Sequence, residues 1–154
     1  AAAAPVVMGT AMAFNAGAAH WPSAVCALLC AALIQVGTNY ANDYFDFKKG
    51  TDTATRVGPT RATQAGLVTP KQMKRATALV FGLAFLLGLY LVFRAGWPIL
   101  VIGCLSILFG LLYTAGPLPL GYTGAADAFV FVFFGPVAVA GACYVQTLTF
   151  TWPL

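Results

Sequence analysis

The sequence predicts an all-α protein, a multi-pass bundle of transmembrane helices. Of its 154 residues, 60% are hydrophobic and 8% are charged, and the mean hydropathy is +0.85. Soluble domains carry roughly 25% charged residues, so this composition excludes that class. Residues 1–42 contain no Asp, Glu, Lys or Arg. As one helix that run would be about twice as long as a bilayer core is thick, so it must fold back, and His20-Trp21-Pro22 predicts the turn.

Five apolar stretches without charged residues are predicted to span the membrane. Each is close to the ~20 residues that a spanning helix needs. Helices are required because backbone polar groups in lipid must be satisfied within their own segment. The five stretches are residues 1–19, 23–42, 76–93, 97–115 and 128–151.

The basic residues predict the orientation of these helices. Seven of the eight lie between residues 48 and 75, whereas the turn at 94–98 holds one. Loops rich in Lys and Arg stay in the cytoplasm, so the long loop is expected there. Trp21, Trp97 and Trp152 then fall at the outer boundary, where Trp is favoured. Since the charge of +4 sits in this loop, the expected partner is the lipid bilayer and not nucleic acid.

The four cysteines lie in apolar stretches without the spacing of a zinc site. Cys26 and Cys30 are one helical turn apart and could meet at a metal ion. The alternative is that they are small buried side chains, as free cysteines commonly are.

A polar stripe runs down the second predicted helix. If that helix continues to about Phe47, then Gln35, Asn39, Asp43 and Asp46, at spacings of 4, 4 and 3, share one face. Asn42 lies beside them. Carboxylates at such a depth are costly, so they usually face a wet cavity or pair with a cation.

The donor atoms of this stripe predict a magnesium site. Mg²⁺ prefers oxygen ligands, takes one or two carboxylates, and leaves other positions to water and substrate phosphates. Asp43 and Asp46 are the expected ligands, and Asp52 could reach back as a third. Basic residues around them would offset the charge of a diphosphate: Lys48, Lys49, Arg56 and Arg61. The alternative is that the two acids only cap the helix end and pair with Lys48, Lys49 or Arg56.

Three strings resemble the UbiA-type prenyltransferases, a family of intramembrane enzymes. NDYFDFKKGTD (42–52) is similar to the first Asp-rich motif of that family, and GPTRATQAG (58–66) is similar to the loop that follows it. Asp52 follows Asp46 by six residues instead of four, which resembles the branch that prenylates 1,4-dihydroxy-2-naphthoate. YTAGPLPLGYTGAADAFVFVFFGPVAVAGACYVQT (113–147) also resembles that branch.

The resemblance implies a Mg²⁺-dependent transfer of a polyprenyl group from polyprenyl diphosphate to an aromatic acid in menaquinone synthesis, with loss of CO₂ and diphosphate. It implies that metal and diphosphate ligands are Asn42, Asp43, Asp46 and Asp52, and that diphosphate contacts are Arg56 and Arg61. We assign Asn39 and Lys48 to the same substrate site. Tyr113 matches a family tyrosine, or is an interfacial tyrosine. Asp127 joins the site, or favours a helix N-terminus.

Other functions stay open at this point. A related enzyme could use 4-hydroxybenzoate or homogentisate, a cation-coupled transporter could place carboxylates within the membrane, and a non-catalytic subunit could bind anionic lipid through the basic loop. Because the family carries a second Asp-rich motif that these residues lack, we expect residues 1–154 to be the N-terminal portion of a larger bundle, unable to turn over alone.

Overall fold

The computed structural model describes residues 2–50, 60–113, 115 and 125–149, without the side chains of residues 125 and 126. These residues form helices and connecting turns without any strand, which confirms the predicted all-α class. A π-helical turn, Phe133–Val137, joins the last two helices. The α-helices are α1 (Ala3–Asn15), α2 (Trp21–Lys49), α3 (Pro70–Ala95), α4 (Trp97–Leu112), α5 (Ala125–Val132) and α6 (Ala138–Thr147).

Local sequence signals set the ends of the two longest helices. The ring of His20 accepts a hydrogen bond from the Ser23 N–H and caps the start of α2. Trp21 and Pro22, which were predicted to be part of the turn, lie in the first turn of the helix. Gly50 ends α2 in the left-handed region, at φ 68°. At the start of α3, Thr69 and Gln72 form a reciprocal capping box.

Among the residues that the structure describes, three helical segments are long and apolar enough to cross a membrane: α2 with 29 residues, α3 with 26, and residues Asp127–Thr147 with 21. The first and fourth predicted stretches are helical over fewer residues than expected. Helix α1 has 13 residues and α4 has 16, so at 1.5 Å per residue they measure roughly 20 and 24 Å against a core of about 30 Å. Helix α1 is shorter because the chain turns at Ala16 and Gly17.

Small residues let the helices approach closely. A Cβ added at Gly9 on α1 would lie 2.5 Å from the Val139 carbonyl oxygen on α6, and one at Gly37 on α2 would lie 2.9 Å from the Phe81 ring on α3. Such contacts supply much of the packing between membrane helices, since lipid removes the hydrophobic drive for association.

One end of the bundle is tied together by Gln146, and we call it the glutamine end. Gln146 is 3% exposed; its amide oxygen accepts a hydrogen bond from the His20 N–H (3.3 Å), and its amide nitrogen donates to the Thr10 hydroxyl (3.0 Å). Arg94 donates to the carbonyls of Val145 and Gln146 near the end of α6. These bonds connect α1, α2, α3 and α6, and the cation complements the negative end of the α6 dipole.

Candidate functional site

The acids of α2 lie at the opposite end of the bundle, which we call the carboxylate end. Asp43 follows Trp21 by 22 residues along one uninterrupted helix, a rise of about 33 Å. The hydrocarbon core of a bilayer is about 30 Å thick. If Trp21 lies at one membrane boundary, Asp43 and Asp46 therefore lie at the other boundary, and not at mid-depth.

Asn42, Asp43 and Asp46 are nearly withdrawn from solvent, with 9%, 6% and 7% exposure. Two features make this an unfavourable place for carboxylates. Burial removes their hydration, and the last turns of α2 carry the negative end of its dipole. Both acids therefore need donors or cations within contact distance.

Asp43 obtains its donors from a backbone turn 19 residues later. Its Oδ2 accepts a hydrogen bond from the Ala62 N–H at 2.9 Å, and its Oδ1 accepts one from the Thr63 N–H at 3.2 Å. Both carboxylate oxygens are thus engaged by two consecutive N–H groups. This fork joins the end of α2 to the segment that precedes α3.

That segment is a single helical turn, which we call the docking turn and define as residues 61–67. Its N–H groups bond backward from Ala65 to Arg61 (2.9 Å), from Gly66 to Thr63 (3.1 Å) and from Leu67 to Ala62 (3.0 Å). Gly66 has φ +72°, the left-handed position that closes a Schellman motif. Asp43 therefore accepts from the N–H groups that the first turn of any helix leaves without an internal partner.

Asp46 forms an ion pair with the first residue of the docking turn. The Arg61 Nη2 donates to the Asp46 Oδ2 at 3.2 Å, and the two side chains are 20% and 10% exposed, respectively. Solvent screens such a pair less than a surface one. Three consecutive residues of the docking turn are therefore held by two acids of one helix.

Thr63 places a polar atom in the same buried region. The residue is 3% exposed, and its hydroxyl oxygen has no hydrogen-bond partner within the described ranges. Buried hydroxyls are normally paired, so this atom has capacity for water or a ligand oxygen.

The structure brings together some of the predicted site residues and separates others. Asp43, Asp46 and Arg61 meet, with Asn42 buried beside them, while Asn39 and Lys48 are exposed on α2. For Asp46, the structure shows an ion pair with Arg61. Asp52 and Arg56 lie outside the described residues.

Tyr113 is half-buried directly after α4. Three residues earlier, Gly110 packs so closely on Thr38 of α2 that an added Cβ would lie 2.5 Å from the Thr38 hydroxyl. By helical rise, Tyr113 then lies at about the depth of Ala41 and Asn42. This depth matches the carboxylate end. Asp127, in the first turn of α5, is exposed, as expected for an acid that favours a helix N-terminus.

Gln35 has a structural partner. Its side-chain oxygen accepts a hydrogen bond from the Ala2 N–H at 2.8 Å, at the start of α1. Gln35 thus joins α2 to α1, whereas Asp43 and Asp46 of the same polar stripe belong to the candidate site.

The sequence did not reveal the backbone donors of Ala62 and Thr63. An argument from residue spacing considers side chains only, whereas these two donors are backbone N–H groups. They are available to Asp43 because they form no hydrogen bond within the docking turn. Gly66 was the available signal, since a glycine after RATQA is typical of a helical turn that ends in the left-handed region.

An apolar cavity lies between α2, α3, α4 and α6. Helix α2 contributes Ile34, one residue before Gln35, and α4 contributes Ile107. The lining is mostly aliphatic and includes Ala27, Leu91, Ile99, Ile102 and Val145. A chain of carbon atoms would be solvated there as it is in lipid.

No group of three or more His, Cys, Asp or Glu side chains that could hold a metal ion occurs within the described ranges. Cys26 and Cys30 instead donate weak hydrogen bonds to the carbonyls of Leu87 and Ala84 on α3. The small buried role considered for these thiols fits their positions better than a metal site.

Comparison with known proteins identifies the relatives of this fold. The UbiA prenyltransferase family is matched by residues 2–154. The chain is 43% identical over 98% of its length to the 1,4-dihydroxy-2-naphthoate octaprenyltransferase of Mycobacterium tuberculosis, and 41% identical over 95% to the Escherichia coli protein of the same name. It is 31% identical over 97% to the 2-carboxy-1,4-naphthoquinone phytyltransferase of Synechocystis.

The chain spans about half the length of the curated relatives it matches, with 51%, 49% and 48% of these three proteins covered. No solved structure matches it.

Proposed function

This chain belongs to the UbiA prenyltransferase family, and from that premise we propose that the protein transfers a polyprenyl group from polyprenyl diphosphate to 1,4-dihydroxy-2-naphthoate. Carbon dioxide and diphosphate would be the other products, and the reaction would serve menaquinone biosynthesis. The names of the relatives from Mycobacterium tuberculosis and Escherichia coli support the acceptor. The Synechocystis relative, named for a carboxylated naphthoquinone, supports the bicyclic class of acceptor.

The structural observation that carries the proposal is the Asp46–Arg61 pair at one end of a bundle that also contains an apolar cavity. A polyprenyl diphosphate has a highly charged head and a long hydrocarbon tail. The carboxylate end supplies charge at the membrane boundary, and the cavity supplies apolar space within the bundle. A cation-coupled transporter would instead need charged sites in several spans. In the described spans the acids are Asp43 and Asp46 of α2, and Asp127 in the first turn of α5.

The donors at this end fit Mg²⁺ better than zinc. Asn42, Asp43 and Asp46 offer amide and carboxylate oxygens within about one helical turn, the ligand type that Mg²⁺ prefers. We propose that Asp46 and Asn42 hold the ion together with Asp52. When bound, Mg²⁺ would supply positive charge next to the departing diphosphate.

The side chains of the chain itself would bind and orient the diphosphate. The Arg61 guanidinium presents planar N–H donors that match phosphate oxygens, and its ion pair with Asp46 fixes its direction. Arg56 and Lys48 would add positive charge at the same end. Asn39 and Tyr113 would lie along the wall between the head group and the tail.

The transfer itself breaks the bond between the allylic carbon and the diphosphate oxygen, and the electron pair leaves with the diphosphate. The ring carbon that carries the carboxylate then donates an electron pair to the allylic carbon. Loss of CO₂ returns the electrons of the broken carbon–carbon bond to the ring, which regains aromaticity. Fixed donors around the diphosphate lower the barrier because they stabilise the charge that develops in the transition state.

We further propose that the carboxylate end faces the cytoplasm of a bacterial cell. The structure describes six basic residues at this end: Lys48, Lys49, Arg61, Lys71, Lys74 and Arg75. Arg94 lies at the glutamine end. This asymmetry follows the distribution of positive charge found across membranes.

The test is an assay of the purified full-length protein in lipid nanodiscs, with labelled polyprenyl diphosphate, Mg²⁺ and a panel of aromatic acids. We expect transfer to 1,4-dihydroxy-2-naphthoate with one CO₂ released per diphosphate, and loss of transfer when a chelator is added. Transfer to 4-hydroxybenzoate alone, with the carboxylate retained, would move the protein to a neighbouring branch. An absence of transfer to every acceptor would refute the proposal.

A further inference from the structure

The two acids of α2 are bound in different ways. Asp46 contacts a charged side chain, whereas each oxygen of Asp43 accepts a hydrogen bond from a backbone N–H. From the sequence alone, the two acids were predicted to be equivalent magnesium ligands, because they lie three residues apart on one helical face. Their contacts indicate two separate tasks.

We propose that Asp43 is a positioning residue that holds the docking turn against α2, and that it does not bind the metal. This inference rests on the proposed function only for the identity of the reaction that the turn serves. Asp43 binds the Ala62 and Thr63 N–H groups and so holds the docking turn in place. The docking turn positions Arg61 next to Asp46.

The geometry requires a carboxylate at this position. Two adjacent N–H donors, at 2.9 and 3.2 Å, point at two different oxygens. An asparagine offers one acceptor oxygen, and its NH₂ group would face the second N–H as donor against donor. Asp43→Asn therefore keeps the volume of the side chain but loses at least one of the two bonds, and it leaves a buried N–H without a partner.

The position of Arg61 depends on this fork because Arg61 directly precedes Ala62. Of the two acids, Asp46 fixes the end of the Arg61 side chain, and Asp43 fixes the backbone from which that side chain starts. Within the docking turn, Gly66 closes the far end with its left-handed conformation. With the fork broken, the turn loses its backbone link to α2, and the Arg61 guanidinium is displaced from its position beside the diphosphate. A displacement of about 1 Å in such a group can lower a rate by about 100-fold.

The experiment compares Asp43→Asn, Asp43→Glu and Asp46→Asn in the full-length protein, with two readouts. The first is amide hydrogen exchange of peptides covering residues 60–69, measured without substrate or Mg²⁺. We expect at least about a tenfold faster exchange at Ala62 and Thr63 in Asp43→Asn, an intermediate effect in Asp43→Glu, which keeps both oxygens, and near wild-type exchange in Asp46→Asn.

The second readout is the Mg²⁺ concentration that gives half of the maximal rate. We expect it to stay within about threefold of wild type in Asp43→Asn, while kcat/KM falls about 10- to 100-fold. In Asp46→Asn the half-saturating concentration should rise at least about tenfold. Unchanged exchange in Asp43→Asn, or a rise in its Mg²⁺ requirement equal to that of Asp46→Asn, would overturn the assignment.

The two proposals fail separately. If the wild-type protein transfers no prenyl group, the proposed function is refuted. The exchange comparison of the three variants needs no substrate, and it still decides whether Asp43 holds the docking turn.

Discussion

The two ends of the bundle use buried polar groups in contrasting ways. At the glutamine end, Gln146 joins neutral partners, the Thr10 hydroxyl and the His20 N–H, and the cation Arg94 caps helix carbonyls. At the carboxylate end, two acids lie within one turn near the negative end of a helix dipole. The first arrangement needs no ligand to balance it. The second arrangement places two negative charges close together in a buried region, which is unfavourable for the stability of the fold.

This contrast has an energetic basis. A satisfied neutral hydrogen bond contributes about 0.5–1.5 kcal/mol to stability, so contacts such as those of Gln146 favour folding. A buried ion pair often gains nothing over apolar residues of the same volume, because its charges lose their hydration. Acidic side chains that are buried in a membrane protein, and that gain little stability from their ion pairs, are therefore candidates for a functional site. We interpret the glutamine end as a structural connection between helices and the carboxylate end as the candidate reaction site.

The largest expected effect comes from Asp46→Asn. The substitution keeps the shape of the side chain but removes its charge and weakens the hold on Arg61, so we expect kcat/KM for prenyl transfer to fall by at least about 100-fold. The measurement is a steady-state assay in nanodiscs, with membrane insertion and melting temperature recorded in parallel. Asp127→Asn is the matched control, because it makes the same substitution at an exposed acid, and it should lower the rate less than about twofold. Equal losses in both variants would mean that the removal of a negative charge matters here and the buried pair does not.

The opposite pattern is expected for Gln146→Leu at the glutamine end. Leucine has a similar volume, but the substitution leaves the Thr10 hydroxyl and the His20 N–H without their partner, at a cost of about 1–3 kcal/mol. The melting temperature should therefore fall, while kcat at a permissive temperature stays within about twofold of wild type. Thermal unfolding followed by circular dichroism checks the first part, and the transfer assay checks the second. A variant as stable as wild type but inactive would break the contrast between the two ends.

The helix that carries the acids could be read from the sequence. The spacing of Asp43 and Asp46 predicted one helical face, and α2 was expected to continue to about Phe47 and extends to Lys49. The turn predicted at His20-Trp21-Pro22 lies slightly earlier, at residues 16–20. These features follow from period and capping, which are local properties of the chain. Arg61 was expected at the site for a different reason, its positive charge in the loop that follows α2, and it contacts Asp46.

The sequence did not predict the contacts between residues that are far apart in the chain. The fork between Asp43 and the docking turn joins residues 19 and 20 positions apart, and its donors are backbone atoms that no side-chain pattern marks. Gln35 followed the spacing of the site, but its side-chain oxygen accepts a hydrogen bond from the Ala2 N–H, 33 residues away in the chain. The lengths of α1 and α4 were overestimated, since apolar residues continue through their turns and hydropathy alone does not register a helix end.

The most direct test of this account locates the diphosphate on the full-length protein. Hydrogen exchange is measured with and without polyprenyl diphosphate and Mg²⁺, under conditions that lack the aromatic acceptor. The account predicts protection in peptides that cover residues 42–50 and 60–69, at the carboxylate end, and unchanged exchange in peptides around His20 and Gln146. Protection confined to the glutamine end, or the same protection pattern in Asp46→Asn as in the wild type, would contradict it.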